Sequence, residues 1–162
     1  MAGILTATDK GGFTMKSGHI LRLSAATCLV FAAASPAGAA EKANFVEHAT
    51  SDTVIDTGAA GDSAGDLLTF ANDVFDEANS AKVGTDNGFC IRTVVAKAWE
   101  CYFTISLAEG QVTVEGPFLD GADSTLAVTG GTGEYKSSRG DMLLHQRNKE
   151  GSEFDFKLDL TD

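Results

Sequence analysis

Short apolar segments, cut at intervals by glycine, proline, asparagine and aspartate, are the feature of this sequence that most constrains its fold. They run from residue 65 to residue 139, and each has the length of a β-strand. The interrupting residue types are typical of tight turns between strands. The chain contains 18 glycines but only two prolines, as expected for many turns within a sheet. The pattern therefore predicts a series of antiparallel strands.

Alternation of apolar and polar residues separates the two faces of the predicted strands most clearly near the middle and the end of the chain. One face of the middle segment carries Trp99, Cys101, Phe103, Ile105 and Leu107. The last segment alternates apolar residues with a fully charged face, which is expected to meet water. Eight strands are predicted, at residues 43–55, 65–75, 83–95, 99–107, 111–119, 124–129, 140–147 and 153–160.

Eight strands joined by hairpin-length turns are enough to close a small barrel, and closure removes the exposed edges of a sheet. The sequence therefore predicts an all-β fold, an eight-stranded antiparallel up-and-down barrel that forms one domain over residues 41–162. A two-sheet sandwich is the alternative. Inward-facing aromatic residues, among them Phe70, Phe103 and Phe118, are expected to line a cavity and to contact a small hydrophobic ligand.

The first 40 residues have the order of a signal peptide. A short basic region at residues 15–22 precedes an apolar region at residues 23–34, and small residues at positions 37–39 fit a cleavage site. The apolar region is too short for a membrane-spanning helix, so no membrane anchor is expected. Met15 is a candidate for the true start. A buried helix is the alternative, but the pattern favours a periplasmic or secreted protein.

The charge of the chain excludes some partners. Its net charge is −11, and residues 1–40 carry more basic than acidic residues, so the predicted mature part is still more acidic. Such a surface repels nucleic acid and anionic lipid, and no nucleic-acid partner is expected. The acidity itself indicates solubility rather than a cationic partner. No hydrolase or metal-ligand motif is present in the sequence, and no cofactor is expected.

Two cysteines fall within residues 41–162, Cys90 and Cys101. A hairpin that turns near Val95 and Ala96 would set them opposite each other on neighbouring strands. In an oxidising compartment such a pair forms a disulfide, which would contribute about 2–3 kcal/mol by closing a short loop. Free buried thiols are the alternative. A metal site is not expected, because neither histidine of this part of the chain lies near the cysteines.

Two polar residues within apolar segments are candidates for a site. If Glu47 faces inward, burial would raise its pKa and suit it to proton transfer. The alternation alone favours a Glu47 that faces water. Asn72 shares a face with Leu68 and Phe70. Its amide either orients a ligand oxygen or a water molecule, or bonds the adjacent loop.

The remaining polar features have simpler interpretations. Arg92 and Glu100 are expected to form an exposed cross-strand ion pair. The glycine-rich residues 130–133 lack the end of a phosphate-binding loop and are interpreted as a turn. His48 and His145 lie far apart in sequence, and nothing ties either of them to a nucleophile.

Several of these segments, taken in order, resemble the plant allene oxide cyclase family. They are GDLLTFAN at residues 65–72, VG at residues 83–84, VEGPF at residues 114–118 and LAVTGGTG at residues 126–133. The first and last, with RG at residues 139–140, also resemble dirigent proteins. The resemblance covers about residues 44–160. It implies an eight-stranded antiparallel barrel with a hydrophobic cavity, often assembled as a homotrimer.

The resemblance also implies a function. In allene oxide cyclases the cavity binds an unsaturated fatty-acid epoxide and guides its ring closure, helped by a first-strand glutamate and polar groups. Glu47 matches that glutamate, which makes it the catalytic candidate, and Asn72 matches the asparagine that ends the first motif. The family's second asparagine falls on Ala49, which departs from the pattern.

Three functions follow. The first is an exported cyclase or isomerase that acts on a small hydrophobic substrate, with Glu47 and Asn72 polarising one oxygen. The second is a non-catalytic, dirigent-like guide or carrier of lipophilic or phenolic metabolites. The third is an envelope scaffold with a filled barrel, which binds no ligand.

Overall fold

The computed structural model describes residues 41–161, and the signal peptide predicted for residues 1–40 lies outside the described residues. The described chain is almost entirely β-structure, with a single short 3-10 helix at Gly133–Tyr135. Its strands are β1 (Glu41–His48), β2 (Thr53–Ile55), β3 (Leu67–Asp76), β4 (Lys82–Val94), β5 (Ala98–Leu107), β6 (Gly110–Leu119), β7 (Ser124–Gly131), β8 (Arg139–Gln146) and β9 (Glu153–Thr161). No helix in this part of the chain has the length and apolar character needed to cross a membrane.

The strands form one antiparallel sheet that closes on itself. From β3 to β9 each strand pairs with the next along the chain, and β9 pairs with β1. Residues 45–48 of β1 then pair with residues 73–76 of β3, while β2 pairs with the opposite end of β3, at residues 67–69. Since β1 and β2 together take the place of one strand, the barrel has eight positions. The predicted eight-stranded barrel is confirmed, and the first predicted strand is broken in two.

The alternation of residues along the strands decides which side chains fill the barrel. In β5 the even-numbered Glu100 and Tyr102 are exposed, while the odd-numbered residues face the core. The same rule holds in β9, whose four apolar residues are buried and whose charged residues face outward. The core consists of Val74, Cys90, Trp99, Cys101, Phe103, Ile105, Val112, Val114, Leu126, Val128, Met142, Leu144, Phe154, Phe156, Leu158 and Leu160.

The glycine-rich segment between β7 and β8 is more ordered than the predicted turn. Gly130 and Gly131 pair with Thr113 and Val112 as the last residues of β7. Gly133 opens the 3-10 helix that follows. The loop is therefore shorter than the sequence pattern indicates, because glycine in a strand interior fits where two backbones approach closely.

The prediction that Arg92 forms an exposed pair with Glu100 is wrong, because the register sets Arg92 opposite Trp99 on the inner face. The Arg92 guanidinium lies 4.0 Å from the centre of the Trp99 ring. Its Nη1 donates to Asp120 at 2.7 Å, and its Nε lies 2.7 Å from Asp62 as an ion pair without good hydrogen-bond alignment. These contacts fix the loop before β3 and the turn after β6 to the inner face of the barrel.

Candidate functional site: an aromatic cavity with an acidic wall

A cavity lies inside the barrel. Its volume is about 40 Å³, measured as the space that the centres of water-sized molecules can reach. All unfilled space, including the solvent at its open mouth, amounts to about 390 Å³. Three of its lining residues are acidic and the others are apolar or belong to a disulfide. The lining residues are Glu47, Asp52, Leu68, Phe70, Asp86, Cys90, Cys101, Phe103, Phe118, Leu144, Phe154 and Phe156.

Five of the twelve lining residues are phenylalanines, and their rings contact one another across strands that are not neighbours in the sheet. The ring centres of Phe70 and Phe103 are 5.5 Å apart, and those of Phe103 and Phe156 are 5.7 Å apart. Gly88 lies between Phe70 and Phe103 in the sheet, and a methyl group there would overlap Phe103. The glycine therefore lets the two rings meet above its backbone. The predicted ligand-contacting residues Phe70, Phe103 and Phe118 all line the cavity.

A disulfide between Cys90 and Cys101 forms part of the same wall. The two residues lie opposite each other in the register of β4 and β5, as the hairpin near Ala96 predicts. Both are almost fully buried. The disulfide therefore holds two cavity-lining strands together, and it presents sulfur rather than a titratable thiol to the interior.

The break between β1 and β2 is held by the side chain of Asn72. Its Oδ1 accepts hydrogen bonds at 3.0 Å from the backbone N–H groups of Thr50 and Ser51. Its Nδ2 donates to Glu47 Oε1 at 2.7 Å and to Asp52 Oδ1 at 2.8 Å. Asn72 is not among the cavity-lining residues, and its amide is engaged by protein groups. It positions the two carboxyls, and it also bonds the adjacent loop, the alternative that the sequence left open.

Glu47 is buried, contrary to the orientation that the alternation alone favours. Only 6% of the residue is exposed, and it lines the cavity. Burial raises the pKa of Glu47 to about 7, with a further increase from the charge of Asp52, while the hydrogen bond from Asn72 opposes the change. Near neutral pH this carboxyl is therefore poised between its charged and uncharged forms.

Asp86 is a second buried carboxyl, on β4 opposite Asn72. Burial, together with the charges of Glu47 and Asp52, raises the pKa of Asp86 to about 9. Near neutral pH Asp86 therefore keeps its proton, and its protonated carboxyl forms a hydrogen bond with Glu47. Apart from that bond, the oxygens of Asp86 have no hydrogen-bond partner among the described groups.

The structure thus brings Glu47 and Asn72 together, but Asn72 bonds protein groups and does not line the cavity, where the sequence predicted contact with a ligand oxygen. It also adds two acids that the sequence pattern did not indicate. Asp86 lies four residues before Cys90, on the same face of β4, so the predicted disulfide already implied an inward side chain. Asp52 lies in the irregular segment between β1 and β2, where no alternation indicates an orientation.

Two carboxyls whose environments separate their pKa values are the arrangement that general acid–base catalysis needs. Asp86 can donate a proton while Glu47 accepts one, and the surrounding rings keep bulk water away from both. Among residues 41–161 no group of three or more side chains has the arrangement of a metal site. The cavity-lining residues offer proton transfer and the confinement of an apolar molecule.

The fold and the site define this protein as an eight-stranded antiparallel β-barrel that encloses an aromatic cavity with buried acids. The family model described as allene oxide cyclase matches residues 44–156, and the chain belongs to that family. The family expected from the sequence motifs is thereby confirmed.

Solved structures share the barrel. A pyocyanin demethylase is 26% identical in sequence, with a TM-score of 0.64, and the match covers 73% of this chain and 99% of that chain. A pterocarpan synthase dirigent protein is 12% identical, with a TM-score of 0.65 and coverage of 75% and 84%. An exo-specific intermolecular Diels–Alderase is 14% identical, with a TM-score of 0.62 and coverage of 77% and 100%. The last two similarities show the fold alone.

Proposed function

We propose that this protein is an exported enzyme that isomerises or cyclises a small, largely apolar, unsaturated substrate by moving a proton. The observation that supports this most strongly is the pair of buried carboxyls, Glu47 and Asp86, on the wall of an aromatic cavity. A barrel that only enclosed an apolar ligand would have no need of two acids with raised pKa values. Buried carboxyls without full pairing are unfavourable for folding, and such groups concentrate at functional sites.

The reaction follows from the protonation states. Asp86 donates its proton to one carbon of an unsaturated system in the bound substrate, while ionised Glu47 removes a proton from another carbon of that system, so that the double bond shifts. Glu47 is then protonated and Asp86 is ionised, and transfer of the proton between the two neighbouring acids restores the starting state. The substrate gains one proton and loses one, so its formula does not change. Each positioned acid or base typically contributes about 10²–10⁴-fold to a rate.

The phenylalanine wall contributes by confinement. A flexible substrate held between packed rings reaches fewer conformations, and a folded shape close to the transition state is favoured. The volume open to the centres of water-sized molecules, about 40 Å³, is far below the roughly 300–1,000 Å³ of small-molecule sites. We therefore expect a small substrate, or a larger one that displaces the phenylalanine rings as it enters.

Export is part of the proposal. A disulfide persists in oxidising compartments and is rare where thiols are kept reduced. The Cys90–Cys101 disulfide agrees with a periplasmic or secreted protein, as does the signal-peptide pattern of residues 1–40.

Solvent deuterium provides the test. The protein is incubated in ²H₂O, first with pyocyanin, because the demethylase is 26% identical, and then with the small-molecule extract of its host. Mass spectrometry detects consumption of a compound and deuterium at carbon in the product. Glu47→Gln and Asp86→Asn are expected to lower the rate at least about 100-fold. Glu100→Gln, an exposed residue on the outer face, is the matched control and is expected to keep the rate.

Two results contradict the proposal. Conversion without deuterium in the product, at a rate that both cavity variants retain, would show that neither acid moves a proton. Recovery of a bound compound from the host extract without any change in structure would instead support the dirigent-like guide or carrier.

A further inference from the structure

We infer that the cavity is selective for an organic cation, such as a quaternary or protonated amine or a charged nitrogen heterocycle, and that it rejects anions. The inference rests on the proposed function, because it assigns a substrate class to the same cavity. It departs from a fatty-acid substrate, whose carboxylate would meet acids of its own charge. Three observations on the cavity wall carry it.

The first observation is the sign of every ionisable group on the wall. Three segments contribute acids, namely Glu47 from β1, Asp52 from the β1–β2 connection and Asp86 from β4. The cavity-lining residues of β5, β6, β8 and β9 are only phenylalanine, leucine and the disulfide-bonded Cys101. Among the described residues that line the cavity, none is a lysine, arginine or histidine. An anionic ligand would therefore lose its hydration without gaining a counter-charge.

The second observation is the unused hydrogen-bonding capacity of Asp86. The residue is fully buried, and apart from its hydrogen bond with Glu47 its carboxyl oxygens have no partner among the described groups. A buried polar group without a partner is unfavourable by about 1–3 kcal/mol, so native proteins rarely leave one unless it has a function. A ligand that carries an N–H group or a positive charge would satisfy these oxygens. An acceptor-only ligand would satisfy just the proton of the neutral form.

The third observation is the aromatic surface that shares the cavity with the acids. Five phenylalanines line the cavity: Phe70, Phe103, Phe118, Phe154 and Phe156. The face of an aromatic ring attracts a cation, and the attraction is stronger where water is excluded. A charged nitrogen placed in the cavity therefore gains from both the acids and the rings, whereas a neutral ligand of the same shape gains only from apolar contact.

Proton linkage gives the inference a signature that packing alone would not produce. A bound cation favours the ionised form of Glu47, whose pKa in the empty cavity is about 7. Asp52 and Asp86 are the other acidic groups on the cavity wall; the charge of Asp52 raises the pKa of Glu47, and the hydrogen bond with Asp86 lowers it. Binding should therefore release a proton, and raising the pH from 6 to 8 should strengthen cation binding about tenfold. A neutral ligand should show little change.

Three probes of similar size separate the charge classes. N-methylpyridinium is the cation, toluene is its neutral analogue of the same shape, and benzoate is the anion. Binding to the full chain is followed by NMR at pH 6 and pH 8, and proton release by calorimetry in buffers of different ionisation enthalpy. We expect N-methylpyridinium to bind about tenfold more tightly than toluene at pH 8, since a desolvated cation–π contact alone is worth about 1–2 kcal/mol. Benzoate should bind most weakly.

Variants assign the preference to the acids. Asp86→Asn and Glu47→Gln should each reduce the preference for the cation while toluene binding persists, which also shows that the variant is folded. Glu100→Gln removes a carboxyl from the outer face and should leave the preference unchanged.

The inference is overturned if toluene binds as tightly as N-methylpyridinium, if benzoate binds more tightly than either, or if the cation fails to bind. None of these results touches the proton-transfer proposal, which the deuterium experiment decides on its own.

Discussion

Replacing Asp86 by asparagine should make the fold less sensitive to rising pH. The pKa of this carboxyl is raised in the folded protein, from an ordinary 3.8 to about 9, by burial and by the nearby acids Glu47 and Asp52. Between these two values the folded protein holds a proton that the unfolded chain has released. Stability is therefore lost as the pH rises through this window, and the amide variant has no such proton to hold.

The magnitude follows from the linkage. Each pH unit within the window corresponds to about 1.4 kcal/mol for one proton, so the step from pH 5 to pH 8 amounts to about 4 kcal/mol. Two acids with lowered pKa values do not interfere, because backbone hydrogen bonds from Ser63 to Asp66 and from Ser80 to Asp76 are already formed to charged carboxylates above pH 5. We therefore expect the free energy of unfolding of Asp86→Asn, relative to the unsubstituted protein, to rise by about 4 kcal/mol over this step.

Urea unfolding at pH 5 and pH 8, with the disulfide kept oxidised, measures this difference. Asp141→Asn is the matched control, because it removes an exposed carboxyl from the outer face of β8. If Asp86→Asn loses as much stability between the two pH values as the unsubstituted protein and the control, Asp86 is not protonated in the folded state. The role of proton donor that we assign to Asp86 would then be wrong.

Three further predictions concern the barrel around the cavity. Cys90→Ala with Cys101→Ala should lower the free energy of unfolding by at least about 2–3 kcal/mol in urea, since the closed loop is lost; unchanged stability would contradict this. Arg92→Met should lower the free energy of unfolding by about 2–3 kcal/mol, and it should alter the fluorescence emission of Trp99, the single tryptophan. Unchanged emission would show that the guanidinium does not contact the Trp99 ring. Tyr102→Glu, on an apolar outer face of β4 and β5, should convert the expected homotrimer to monomers in light scattering, and a trimer that persists would place the interface elsewhere.

Much of the barrel was predictable because alternation carries the information. Once Cys101 and Phe103 are set on one face of β5, the hairpin places Cys90 opposite Cys101, and the disulfide follows. The charged outer face of β9 and the turns near Ala96 and Gly110 are equally local signals. Such features depend on residues close in sequence, and all of them are present in the structure.

The acidic wall was less predictable because it depends on contacts between distant segments. The burial of Glu47 follows from pairing with β9 and β3, about 100 and 25 residues away in sequence. The role of Asn72 depends on an irregular break whose backbone it bonds. Arg92 shows the same limit, since its alternation with Cys90 predicts an inward side chain, while its charge alone suggested a solvent-exposed pair.

Carbon-detected NMR of the aspartate and glutamate carboxyls, titrated from pH 4 to pH 10, tests the central claim most directly. The account predicts one buried carboxyl that titrates near pH 7, assigned to Glu47 by its loss in Glu47→Gln, and a second near pH 9 that is lost in Asp86→Asn. If both carboxyls titrate below pH 5, the cavity holds two ordinary carboxylates, and the proposed proton transfer has no acid to begin it.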